Sequence, residues 1–158
     1  KVLGGIMDPH AAYLLLRGIK TLGVRVEQHN RSALAVARAF EGHPRVRGVF
    51  YPMLESHPQH ELARRQMRGG GGVVSLELDG NLDSAKRFVN ALKLFRIAPS
   101  LGGVESLVSI PCITSHAMLS SQERQQSGIG DSMVRLALGI EDTADLVADI
   151  EQALTASG

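Results

Sequence analysis

Val134-Arg135-Leu136-Ala137-Leu138-Gly139-Ile140-Glu141-Asp142 reads as a strand that runs into a helix. Val134, Leu136 and Leu138 alternate onto one face, the period-two signature of a half-buried strand, and Arg135 stands on the other face between Met133 and Ala137. Asp142 then serves as a helix cap, with Asp145 three residues on in an arrangement close to a capping box. A final strand passing into a capped helix points to a mixed α/β domain.

The same periods recur toward the N-terminus. Val73–Leu78 alternates apolar and polar residues, and Asp79-Gly80 leads into a helix over 82–92 with Ala85, Phe88, Val89 and Leu92 facing inward. The run Gly69-Gly70-Gly71-Gly72 before it is read as a turn, because phosphate-binding loops precede a helix and end in Lys-Ser or Lys-Thr, whereas this one enters a strand. Val46, Val49, Phe50 and Tyr51 form an earlier strand closed by Pro52, and Ser56-His57-Pro58 opens a short helix toward Met67. Asp8-Pro9 starts a first helix, and a second runs from Gly23 to Phe40, where Gly42-His43-Pro44 stops it. These two helices are expected to form an exposed arm over residues 1–42, followed by an α/β unit over 43–158. Residues 94–130 have weak periodicity and hold most of the unusual side chains, so they are expected to be loop-rich and to carry function.

The length of 158 residues suits one domain with its own core. Seventeen Lys plus Arg against sixteen Asp plus Glu leave a net charge of +1, too balanced for a nucleic-acid or membrane-surface partner held by bulk charge. A small neutral or zwitterionic partner is the better expectation. A single cysteine, Cys112, excludes an internal disulfide and a multi-cysteine zinc site, as a reducing compartment such as the cytoplasm permits. No apolar run approaches the ~20 residues that span a bilayer. The start Lys1-Val2-Leu3-Gly4-Gly5 lacks both a signal-peptide layout and an initiator Met, so the chain is expected to begin inside a longer protein.

Four stretches resemble the Cys/Met-metabolism pyridoxal-phosphate enzymes, the family of cystathionine γ-synthase and γ-lyase. They are Leu16-Arg17-Gly18-Ile19-Lys20-Thr21-Leu22, Ser100-Leu101-Gly102-Gly103-Val104-Glu105-Ser106-Leu107, the segment from Pro111 to His116, and the strand-to-helix stretch quoted above. Tyr51-Pro52 and Ser56-His57-Pro58 add to the match, and the blocks follow in order along nearly the whole chain. The resemblance implies the C-terminal domain of a fold-type I enzyme: a helical arm and a small, largely antiparallel sheet covered by helices. It implies pyridoxal 5'-phosphate as cofactor and an amino-acid substrate. It further implies a missing large domain that binds the cofactor, and a homo-oligomer, a tetramer in the family. The family's Schiff-base lysine lies upstream of the matching region, and neither Lys20 nor Lys93 occupies its position. Ile97-Ala98-Pro99-Ser100 resembles plant-type γ-synthases, whereas Pro111-Cys112 and Ser115-His116 are nearer the lyases.

Arg135 is the first candidate site residue. A guanidinium at that place suits a planar anion bound through two parallel hydrogen bonds, although spacing alone leaves an exposed arginine on an edge strand equally open. By resemblance Arg135 clamps the substrate α-carboxylate. Ser100 opens a turn in which Gly102 and Gly103 free the backbone to approach an oxyanion, and an ordinary Gly-rich turn is the alternative. The family match makes Ser100 a second substrate-binding residue and adds Ser115, with His116 beside it as a structural residue. Glu105 is read as satisfying nearby backbone N–H groups. His57 and His60 have a metal-like i, i+3 spacing but no third ligand, so no metal is expected. Cys112 has no adjacent base and is read as buried and inert. The competing reading from a different class is a stand-alone small-molecule-binding or assembly module without catalysis.

Overall fold

Asp8 caps α1 (Pro9–Ile19) by accepting from the N–H groups of His10 at 2.9 Å and Ala11 at 3.2 Å, and Pro9 occupies the first turn, where its missing N–H is not needed. The computed structural model describes residues 5–157; the stretch 1–4, part of the sequence read for a signal, lies outside the described residues. α1 buries none of its residues, and Tyr13, Leu14, Leu15, Leu16 and Ile19 are exposed. α2 (Leu22–Phe40) differs along its length. Its second half buries His29, Ser32, Ala33, Val36, Ala37 and Phe40, and the small side chains of Ala33 and Ala37 let the helix lie close to the sheet. The expectation of an exposed arm over residues 1–42 is therefore corrected for this half of α2, which belongs to the core.

Five strands form one sheet: β1 (Val46–Phe50), β2 (Val73–Leu78), β3 (Arg96–Ile97), β4 (Leu107–Ser109) and β5 (Met133–Ala137). Their order is β1-β2-β5-β4-β3, antiparallel throughout except for the parallel pair β3 and β4. A bulge between Val46 and Gly48 interrupts the register of β1 against β2. The expected largely antiparallel sheet is present.

One face of the sheet is apolar and nearly sealed. Val74, Leu76, Val108, Val134 and Leu136 are completely buried there, under α2, α4 (Leu82–Ala91) and α6 (Thr143–Ala156). Phe88 of α4 and Leu146 and Ile150 of α6 fill the layer between. Each such side chain contributes about 1.5–3 kcal/mol by leaving water, so this face holds the domain together. α6 begins as expected, with the Asp142 carboxylate accepting from the N–H groups of Ala144 and Asp145. The opposite face carries a polar row, because Ser75 of β2 and Ser109 of β4 pair directly with Arg135 of β5.

Residues 94–130 hold more regular structure than their weak periodicity suggests. They include β3, the fully buried β4, a 3-10 turn at Pro111–Ile113, and α5 (Ser121–Gln126), which opens with a Ser120–Glu123 capping box. A strand of three residues buried on both faces shows no alternation. The short helix α3 (His60–Gln66) begins later than expected, after His57.

Candidate carboxylate-binding site

Arg135 sits on β5, the middle strand of the sheet, and not on an edge. Its side chain rises from the polar face to meet the segment that joins β3 to β4. Nη2 donates to the carbonyl oxygens of Pro99 at 2.6 Å and Ser100 at 3.2 Å. The structure thus brings together the two residues that the sequence marks as carboxylate binders, through the main chain of Ser100. Nε of Arg135 is buried and has no hydrogen-bond partner among the described residues. An unpaired buried donor costs about 1–3 kcal/mol, more on a cation, and an anionic oxygen is the kind of acceptor that satisfies it best.

The turn after Ser100 leaves much of its main chain unpaired. Gly102 has φ +80, a left-handed conformation that side chains disfavour. Among the described residues, the N–H groups of residues 101–104 find no acceptor. The far side of the same turn is firmly attached. The buried His29 of α2 places Nε2 at 2.9 Å from the carbonyl oxygen of Gly103, and the Ile140 N–H donates to the Val104 carbonyl at 2.9 Å. Ser106, fully buried, donates through its N–H and its hydroxyl to the two oxygens of Glu141 at 2.7 and 2.8 Å, while its hydroxyl oxygen accepts from the Gly139 N–H at 2.8 Å. A Cβ on Gly139 would lie 2.3 Å from the Val104 carbonyl oxygen, so the close approach of the two segments needs glycine.

The carboxylate that satisfies backbone in this region is therefore Glu141; Glu105 is exposed and folds back against Gly103. His29 and Glu141 are the residues that sequence reasoning missed. Glu141 lay within a family-like block but had no visible partner, and His29 sat in a helix as one of six histidines.

Ser115 does not join Arg135 by a hydrogen bond among the described residues. Its hydroxyl lies 2.8 Å from Nδ1 of His116; Ser115 is exposed and His116 half-buried. Cys112 is buried, with Sγ 3.5 Å from the Asp131 carbonyl oxygen, and its thiol is pushed above the ordinary range by burial first and by the charge of Asp131 second. Tyr51 closes residues 69–72 from behind by donating to the Gly71 carbonyl at 3.0 Å. His60 faces the Pro52 carbonyl oxygen through Nδ1 at 3.2 Å, and no cluster of three or more metal-type side chains occurs among the described residues.

Lys20, Lys86 and Lys93 are all exposed, and Lys86 is occupied by Asp83 at 3.4 Å. A Schiff-base lysine needs a desolvated or cation-flanked setting that lowers its pKa. The three lysines among the described residues do not fit covalent attachment of pyridoxal phosphate.

The family described as Cys/Met metabolism PLP-dependent enzyme matches residues 1–155. The chain is 54% identical over 153 residues to cystathionine gamma-synthase 1, chloroplastic, of Nicotiana tabacum, covering 97% of this chain and 28% of that protein. It is 48% identical over 152 residues to cystathionine gamma-lyase of Dictyostelium discoideum, covering 96% and 39% respectively. It is 49% identical over 153 residues to L-methionine gamma-lyase of Pseudomonas deceptionensis, covering 97% and 38%. The chain thus spans between 28 and 39% of the length of these relatives. It belongs to the Cys/Met metabolism PLP-dependent enzyme family.

Proposed function

We propose that this chain is the C-terminal part of a pyridoxal-phosphate trans-sulfuration enzyme, a γ-synthase or γ-lyase acting on cystathionine, homoserine esters or related sulfur amino acids, and that it supplies the substrate carboxylate site. The buried, unpartnered Nε of Arg135 beside the Ser100 turn carries this reading. Arg135 and Ser100 bind and orient the amino-acid carboxylate, with Ser115 at the rim. Fixing the carboxylate aligns the reacting carbons before chemistry begins. Pyridoxal phosphate, held by the lysine of a large domain outside this chain, supplies the electron sink. α1 and the exposed half of α2 link the two domains, and the apolar surface of α1 is covered by the large domain or by another subunit of a homo-oligomer. The lone buried thiol suits a reducing compartment such as the cytoplasm. Among the described residues no helix is long and apolar enough to cross a membrane.

The test is turnover by the complete protein that contains these residues, loaded with pyridoxal phosphate and offered L-cystathionine or O-activated homoserine. Turnover is expected, and its loss in an Arg135→Met variant that keeps the visible cofactor band is expected with it. A complete protein that binds the cofactor but turns over none of these amino acids rejects the assignment. The non-catalytic alternative expects no turnover by the complete protein, and the 158-residue chain alone, treated with pyridoxal phosphate and borohydride, should fix no cofactor to one specific lysine.

A further inference from the structure

The Ser100 turn is anchored from a helix that precedes it by 74 positions. His29 lies in the middle of α2, is 5% exposed, and meets the Gly103 carbonyl oxygen at 2.9 Å. A carbonyl oxygen only accepts, so the imidazole carries its proton on Nε2 and donates. The peptide joining Gly103 to Val104 is trans, as are all described peptides. Its N–H points opposite to its C=O. Drawing the Gly103 carbonyl toward α2 therefore turns the Val104 N–H away from the helix, on the exposed side of the turn.

The neighbours of His29 on α2 hold adjoining segments in the same way. Asn30 accepts from the Gly71 N–H at 2.8 Å, and Ser32 lies 2.9 Å from the Thr143 hydroxyl, just past Glu141. One helical stretch, residues 28–32, thus sets the place of three loops. Of these contacts, the one from His29 reaches the turn that contains Ser100. Arg135 holds the near end of that turn through Pro99 and Ser100. Without His29, the turn loses the contact that orients the glycine pair, and the bonds at Val104 and Ser106 are left to hold it alone, so that they open more often. Gly102, at φ +80, is the part of the turn with the least side-chain restraint.

We propose that His29 is a positioning residue for amino-acid binding: its Nε2–H fixes the Gly102-Gly103 peptides so that Ser100 and Arg135 present a preformed carboxylate site. This rests on the reading of Arg135 and Ser100 as that site. It concerns a residue that touches neither substrate nor cofactor.

The test compares His29→Leu, which keeps apolar bulk but removes the donor, with His29→Gln, whose amide nitrogen restores one, in the complete protein. Hydrogen exchange followed by mass spectrometry, without cofactor or substrate, should show faster exchange in His29→Leu for peptides covering 103–106 and 139–141. Peptides of β2 and β5 should be unchanged. With pyridoxal phosphate bound and L-cystathionine as substrate, KM should rise about 3- to 10-fold, the loss expected for one hydrogen bond. The value of kcat and the cofactor band should stay put, and His29→Gln should recover most of both effects. Unchanged exchange in 103–106 overturns the proposal. So does a uniform rise across the sheet, which marks His29 as a core residue only, and so does a Gln variant as impaired as Leu. If the complete protein turns over no sulfur amino acid, the carboxylate reading fails while the exchange experiment still decides whether His29 holds the turn.

Discussion

Replacing Arg135 by Lys in the complete protein keeps the positive charge and removes the fork. The structure shows what is lost. Nη2 ties Pro99 and Ser100 at 2.6 and 3.2 Å, and the buried Nε–H has no partner among the described residues. A lysine ammonium concentrates its donors on one atom at the end of a flexible stem. It can serve the carbonyl oxygens or the carboxylate, but it cannot serve both with parallel bonds. A charge-assisted bidentate contact in a partly desolvated site is worth on the order of 2 to 4 kcal/mol, so kcat/KM should fall by roughly 30- to 1000-fold. Steady-state kinetics with L-cystathionine would measure the loss, and a visible spectrum of the loaded protein would serve as control. With Arg135 proposed to recognise the carboxylate, the cofactor band should be unchanged while amino acids saturate poorly. A variant with normal kcat/KM would reduce Arg135 to a tether for the Ser100 turn. One that folds but loses its cofactor band would make it a cofactor residue.

Gly139→Ala should lower the melting temperature and cost about 1–3 kcal/mol, since the new methyl meets the Val104 carbonyl oxygen at 2.3 Å and must push the segment away; an unchanged melting curve in calorimetry would show that the two segments part freely. Burial raises the Tyr51 phenol from 10.0 to about 12, against a lowering by the Gly70 backbone. The unfolded chain ionises first, so the contribution is complete below pH 10 and fades as pH rises toward 12, by on the order of 2 kcal/mol. Urea titrations should show that difference between the wild type and Tyr51→Phe across this window, and parallel pH profiles would remove the effect. The 158-residue chain by itself should turn over neither cystathionine nor O-activated homoserine, and should self-associate through α1; measurable turnover, or a strictly monomeric species at all concentrations in light scattering, would contradict the respective expectation.

Local periods made most of the fold legible. The alternation in Val73–Leu78 and from Val134 to Leu138 gave two central strands, and Asp8 and Asp142 marked the starts of two helices that form where expected. β4 stayed hidden because Leu107, Val108 and Ser109 are all buried and too few to show a period. The burial of the second half of α2 is not legible locally because its inward stripe mixes His29, Ser32, Ala33 and Ala37 with only Val36 and Phe40 as large apolar residues, and the burial of such small and polar side chains depends on what packs against them. For the site, Arg135 and Ser100 were legible through resemblance, and the structure joins them by hydrogen bonds across 35 positions. His29 was not, since its partner Gly103 is 74 residues away and a helical histidine carries no local sign of its acceptor. Glu141 meets Ser106 across 35 positions and was hidden for the same reason.

The margins of the sheet decide how copies of this chain can meet. An open strand edge is a template for another strand, and long flat edges invite chain after chain to add on. Here one margin is β3, only two residues long and followed at Pro99 by a residue with no N–H to offer. The other is β1, broken by the bulge at Val46 and Gly48, with Arg47 extended to Asp79 at 2.8 Å. Neither margin offers a continuous row of donors and acceptors. Contacts between copies are thereby steered toward helix surfaces, where side-chain shape limits the number of partners, and away from the open-ended stacking that fills inclusion bodies.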